Sequence, residues 1–168
     1  MEVSTQDIKS LRESSGAGVM DCKKALIEAQ GDLGRAEEIL KKQGLAKAVK
    51  KAGRATEQGI IEAYVHGGGR IGAMVEVNCE TDFVARTEEF KELAHNIAMQ
   101  VAAMTPLHID PSELPQETEL NSEEAALLQQ PYIKDPSKTV KDIITETVAK
   151  VGENITVRRF SRFELGEG

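Results

Sequence analysis

The chain has no tryptophan, and aromatic residues make up only 4% of its 168 positions. A nucleic-acid surface that stacks bases on aromatic side chains has little to be built from here. There are two cysteines, Cys22 and Cys79. That number excludes a disulfide framework or a four-ligand zinc site within one chain, and both read as buried or bystander thiols. Long apolar runs are missing as well. The longest uncharged stretches, such as 97–107, fall well short of the ~20 residues that cross a bilayer. The first residues, Met1-Glu2-Val3-Ser4, carry no basic stretch leading into an apolar run, so a reducing cytoplasm is the expected compartment and no membrane partner is expected.

Basic residues are the minority, 21 Lys and Arg against 28 Asp and Glu, but the imbalance is uneven. Residues 1–56 hold 11 basic and 8 acidic side chains, and the remainder holds 10 and 20. The only cluster of cations is Lys41, Lys42, Lys47, Lys50, Lys51 and Arg54. Phosphate backbones require such clusters, yet with no interleaved aromatics this one reads as a solvated helix end and linker, with no direct nucleic-acid contact expected.

Apolar spacing divides the chain. Ile8 and Leu11 share a face of a first helix over 5–13, and Ser14-Ser15-Gly16-Ala17-Gly18 breaks it. Val19, Cys22, Leu26 and Ala29 mark a second, stopped at Gly31. Asp32 is a good N-cap for a third, whose Leu33, Ala36, Ile39 and Leu40 run up to Gly44. The expected organisation is a three-helix head over 1–46, a basic linker over 47–56 and an α+β core over 57–168. From Gly59 the period becomes two: Ile61, Ala63, Val65, then Gly67-Gly68-Gly69, then Ile71, Ala73, Val75 and Val77. That is a hairpin. A third strand is expected over 155–165, with helices at 82–104, 122–130 and 138–151. Three of the five prolines fall in 105–121, which predicts a loop or crossover. The fold class is α+β, a small three-stranded antiparallel sheet with helices on one face.

Gly67-Gly68-Gly69-Arg70-Ile71-Gly72 satisfies G-x-G-x-x-G, but residues 71–77 alternate like a strand, whereas a dinucleotide site needs a helix there. It reads as a turn. His66, His95 and His108 are scattered, so neither a metal nor a cofactor is expected. Glu80 and Asp82 beside Cys79 would raise its pKa, which argues against a nucleophilic thiol. The segment leaving the second strand is more informative. Thr81 can cap a helix beginning at Asp82, and the buried stripe Phe90, Leu93, Ala94, Ile97, Val101, extended back seven residues, reaches Phe83. The pattern alone reads Phe83 as core. Arg86 and Thr87 occupy the intervening turn, however, which leaves the ring at a frayed end beside a carboxylate, a position from which an aromatic can also be offered to a partner.

Val77-Asn78-Cys79-Glu80-Thr81-Asp82-Phe83-Val84 resembles the signature of the translation elongation factor Ts family. Leu11-Arg12-Glu13-Ser14-Ser15-Gly16-Ala17-Gly18-Val19-Met20-Asp21-Cys22-Lys23-Lys24-Ala25-Leu26 is similar to the family's first motif, and the stretches 131–140 and 158–168 extend the likeness over nearly the whole chain. The resemblance implies a guanine nucleotide exchange factor for elongation factor Tu, not an enzyme of covalent chemistry, acting on the GDP and Mg²⁺ that the partner holds. It implies a ubiquitin-associated-like head that touches the GTPase domain through Arg12, Val19 and Met20. It also implies an exchange motif Thr81, Asp82, Phe83 and Val84, in which Phe83 is the wedge, Asp82 the acid, and Thr81 and Val84 cap and anchor. Longer members have two related halves of the core, and this chain has length for one. Ile60, Tyr64, Met74 and Phe160 are expected on the uncovered face of the sheet, where apolar residues predict a homodimer with two sheets packed together. Two other readings stay open: a peptide adaptor would need only the head, and a small enzyme would need a pocket of convergent titratable groups.

Overall fold

The computed structural model describes residues 3–116, 119 and 121–167. It has the expected α+β architecture. Three helices come first: α1 (Thr5–Ser15), α2 (Val19–Glu28) and α3 (Leu33–Lys51). Ser4 caps α1 by accepting the Asp7 N–H, and Asp32 caps α3 by accepting that of Arg35. Leu11, Cys22, Ala25, Leu26, Ala29, Ala36 and Leu40 form their shared apolar cluster.

The third helix does not stop at Gly44. It runs on to Lys51, through the first half of the expected linker, and delivers Ala48 into the larger core of the sheet domain. A glycine inside a helix costs ~1 kcal/mol relative to alanine, but here it is a packing contact. A Cβ at Gly44 would stand 3.0 Å from the Cβ of Ala149 on α7 (Val140–Val151), so the bare glycine lets the two helices touch.

The hairpin is β1 (Gln58–Val65) and β2 (Ile71–Cys79), and β5 (Ile155–Glu164) pairs antiparallel with β2 in the order β1-β2-β5. The three glycines lie in the β1–β2 turn, closed by His66 N–H to the Ile71 carbonyl (2.8 Å) and Gly69 N–H to the His66 carbonyl (3.0 Å). Register decides which face is which. Ile60 pairs with Val77, Glu62 with Val75 and Tyr64 with Ala73, and Val75 pairs with Phe160. These residues face the helices. Ile60, Tyr64 and Phe160 therefore pack against the core and do not lie on the uncovered face; of the four residues expected there, only Met74 does. The uncovered face carries Ile61, Val65, Met74 and Phe163. The reason is Glu62: a charged residue among the core-facing positions of β1 makes Ile61, Ala63 and Val65 look like the buried set, but its carboxylate meets His95 Nδ1 at 3.1 Å on α5 (Glu88–Met104). A bulge at Glu76/Val77 reaches across to Arg158, which has no partner in the ladder.

The helical stretch expected at 82–104 is broken in two, a short α4 (Asp82–Ala85) and α5, because Thr87 begins a new cap by accepting the Phe90 N–H. After α5 the chain crosses over through α6 (Ser122–Ala125) and a small hairpin, β3 (Pro131–Tyr132) with β4 (Asp135–Thr139), into α7. Buried Gln100 and Gln130 close this crossover. Gln100 Nε2 donates to Gln130 Oε1 (3.2 Å) and the Pro131 carbonyl (3.1 Å), its Oε1 accepts Ile133 N–H (2.9 Å), and Gln130 Nε2 donates to the Glu124 carbonyl (2.7 Å). Thr139 and Asp142 form a full capping box for α7, and Gly152 ends it.

Candidate functional site

The segment after β2 is held from three sides. Cys79 Sγ donates to the Thr81 carbonyl (3.1 Å) and is fully buried. Thr81 Oγ1 accepts the Val84 N–H, capping α4, and Val84 and Ala85 sink into the core. Thr87 Oγ1 donates to the Val84 carbonyl (2.7 Å), fixing the far end of the same turn. With Val84 pointing inward, its neighbour in a single helical turn points out: Phe83 is 78% exposed, more than any other large apolar side chain among the described residues. Phe83 is thus not core. The heptad extension fails because α4 and α5 are separate helices, so the stripe of one is not in phase with the other. Beside the ring, Asp82 accepts from Arg86 at 2.9 Å, an exposed i,i+4 pair of the kind that contributes ~0–1 kcal/mol and is easily exchanged for another cation.

A contribution that periodicity and spacing did not point to comes from the turn between α7 and β5. Glu153 Oε2 accepts the backbone N–H of Glu80 (3.1 Å) and Thr81 (2.9 Å), while its Oε1 accepts from the Thr81 hydroxyl. In return Glu80 Oε1 accepts the Asn154 N–H at 2.7 Å. Asn154, itself buried, donates from Nδ2 to the carbonyls of Ala52 (3.3 Å) and Arg54 (2.8 Å). The only hint in the chain was a polar Glu153-Asn154 pair directly after the helix-ending Gly152, where an exposed turn would use any polar residue.

The head residues Arg12, Val19 and Met20 lie at the corner where α1 passes to α2. All three are exposed, Val19 and Met20 in the first turn of α2. Neither they nor the histidines build a metal centre: among the described residues no group of three or more His, Cys, Asp or Glu is arranged to hold an ion. No helix in these residues is long and apolar enough to cross a membrane.

Burial first, and then the Glu153 carboxylate, push the Cys79 thiol from an ordinary 9.0 up to about 11. Such a thiol is protonated at neutral pH and is a poor nucleophile. In the unfolded chain it loses its proton near 9.0, so between pH 9.0 and about 11 the folded state binds more protons and stability falls as pH rises. Tyr132, whose phenol burial and Glu92 push upward, acts in the same direction. The urea midpoint is expected to drop between pH 8 and pH 10.5, and a Cys79→Ala variant should show a shallower drop.

Comparison with known proteins bears on this geometry. The family model described as Elongation factor TS matches residues 35–123 and 119–167. A relative from Thermotoga maritima named Elongation factor Ts is 52% identical over 196 residues, covering 100% of this chain and 98% of its own length. Those from Caldanaerobacter subterraneus (99% and 98%) and Carboxydothermus hydrogenoformans (99% and 90%) are each 50% identical and carry the same name. The alignments span 196 residues against 168 here, so the relatives hold positions that this chain lacks, and the two stretches of the family match overlap at 119–123. The segment that carries the outward Phe83 lies within the family match, the exposed corner before α2 lies within the alignment to the Thermotoga maritima relative, and the chain belongs to the elongation factor Ts family.

Proposed function

We propose that this chain, a translation elongation factor by family, releases GDP from elongation factor Tu by presenting Phe83 and Asp82 to the GTPase domain. The observation that carries the reading is a phenyl ring left in water while the residue next to it, Val84, is buried. Leaving such a ring exposed has no benefit to the isolated fold. Exchange is a coupling problem: a factor that binds empty Tu tightly and loaded Tu weakly must weaken nucleotide binding by the same ratio. Each tenfold corresponds to about 1.4 kcal/mol, so an aromatic wedge and a competing carboxylate supply a differential of the right order. Asp82 is free to do so at the small cost of leaving Arg86. No bond is made or broken, and the site of action is the partner's Mg²⁺ and GDP in the cytoplasm. Arg12, Val19 and Met20 are the second contact, offered by the head. The test is fluorescent GDP bound to purified bacterial Tu: adding this chain should speed its release by orders of magnitude, and an unchanged rate would defeat the proposal.

The uncovered sheet face supports a second proposal, a homodimer. Ile61, Val65, Met74 and Phe163 are each more than half exposed on one side of the sheet. Glu76 lies on the same side with Arg159, which it meets at 2.7 Å, and acid and base together suit a self-complementary two-fold contact. Sedimentation at micromolar concentration is expected to give twice 18.3 kDa. Phe163→Asp should give the single mass, and a monomer for the parent chain would refute the contact.

A further inference from the structure

We infer that Glu153 is a positioning residue for the exchange tip, acting with Glu80 as a clasp that decides where Phe83 points; this rests on the proposed exchange function. The two carboxylates are crossed over between the ends of neighbouring strands. Glu153, just before β5, takes both consecutive amides at the end of β2, Glu80 N–H (3.1 Å) and Thr81 N–H (2.9 Å), together with the Thr81 hydroxyl. Glu80 takes the amide of Asn154 (2.7 Å) and lies 3.7 Å from Arg54. Both carboxylates thus bind backbone of the opposite strand end, and neither depends on a long flexible side-chain partner.

The consequence lies in the covalent geometry. Thr81 is the N-cap of α4, and the orientation of a four-residue helix is set by its cap and its few buried side chains. The hydroxyl that accepts the Val84 N–H is the same one that donates to Glu153, so its rotamer is fixed by the clasp. Two residues on, Phe83 is 78% exposed and has little packing of its own to hold it. Its direction is inherited from Thr81 below it and Val84 beyond it. Without Glu153 the Glu80 and Thr81 amides would turn to water, the strand end would fray, and the ring would sample many directions, of which few fit a partner.

The experiment uses the full chain with Glu153→Ala, Glu153→Gln, Phe83→Ala and the Glu153→Ala/Phe83→Ala double variant. Readouts are GDP release from Tu, thermal melting, and amide hydrogen exchange at Glu80 and Thr81 in the chain alone. Glu153→Ala should lose about tenfold in release acceleration, the scale of one hydrogen bond to a charged group, and protection at both amides. Glu153→Gln, which keeps one acceptor oxygen, should recover part of each. The double variant should be no slower than Phe83→Ala alone, because a misaimed ring and a missing ring fail alike. Release within twofold of the parent for Glu153→Ala, or losses that multiply in the double variant, would overturn the inference. Should Glu153→Ala fail to fold, Glu153→Gln decides: undiminished release, or undiminished amide protection, overturns it. If Phe83→Ala itself leaves release unchanged, the exchange reading falls, while amide protection still judges the clasp.

Discussion

Phe83→Ala is expected to lower the acceleration of GDP release from Tu by roughly 30- to 150-fold, while the protein melts within about 2 °C of the parent. The first number is the loss of ~2–3 kcal/mol from one phenyl ring transferred from water into a partner. Interface energies concentrate in a few such aromatic anchors. The second reflects exposure. A ring that is 78% accessible contributes little to its own fold, and surface substitutions of this kind shift stability by ~0.5 kcal/mol or less. The combination separates function from stability in one variant. Asp82→Ala should cost less, about tenfold, since a carboxylate already paired to Arg86 exchanges one cation for another. Stopped-flow release of fluorescent GDP measures both. A Phe83→Ala protein as fast as the parent would mean that the exposed ring is not the wedge.

Gly59→Ala is expected to destabilise the fold by ~3 kcal/mol or more, lowering the melting temperature by about 6–12 °C. A Cβ there would stand 2.2 Å from the Val77 carbonyl oxygen, 2.7 Å from Asn78 Cα and 2.8 Å from Asn78 Oδ1, at a backbone φ of +155°. The first two are backbone atoms of the strand paired with it. They cannot step aside without parting the β1–β2 ladder, where Gly59 sits opposite Asn78 and one pair from Cys79. That is also the strand end from which Thr81 and Phe83 are hung, so release of GDP should suffer along with stability, in contrast to Phe83→Ala. Gly67→Ala, in the open turn where a Cβ would meet nothing within 4 Å, is the control and should melt like the parent. A Gly59→Ala protein that melts within 2 °C of the parent would contradict the register.

Much of the fold is legible in the sequence where a local rule and the tertiary structure agree. The apolar spacing predicts a helix over 138–151, and α7 is there. The alternation on either side of three glycines marks a hairpin, and β1 pairs with β2 accordingly. What local rules could not reach were positions whose meaning is set by a distant residue. Gly44 looks like a helix end until Ala149 is seen against it. Glu62 looks like a solvent-facing residue until His95 arrives from α5, and that one misreading turns the face of a whole strand, because side chains alternate with period two. Phe83 is the instructive case. Its spacing from Phe90 is that of a continuous stripe, and only the second cap at Thr87 shows that no continuous helix exists. The family signature pointed to the segment, and the geometry of Thr81 and Val84 supplies the reason that the ring is turned outward. Glu153 has no periodic signal at all, since its partners lie more than seventy residues away.

The unbroken course of α3 has a bearing on the cost of association. At 1.5 Å per residue, its 19 residues make a strut of about 28 Å. One end is rooted in the head through Ala36 and Leu40, the other in the core through Ala48, and its foot is tied down where Asn154 holds Ala52 and Arg54. The two surfaces proposed above to meet a partner would, on a floppy tether, each have to be brought to rest when it arrives. Mounted on one stiff beam, they would surrender their freedom of tumbling only once, and more of what the second contact gains would be kept as affinity.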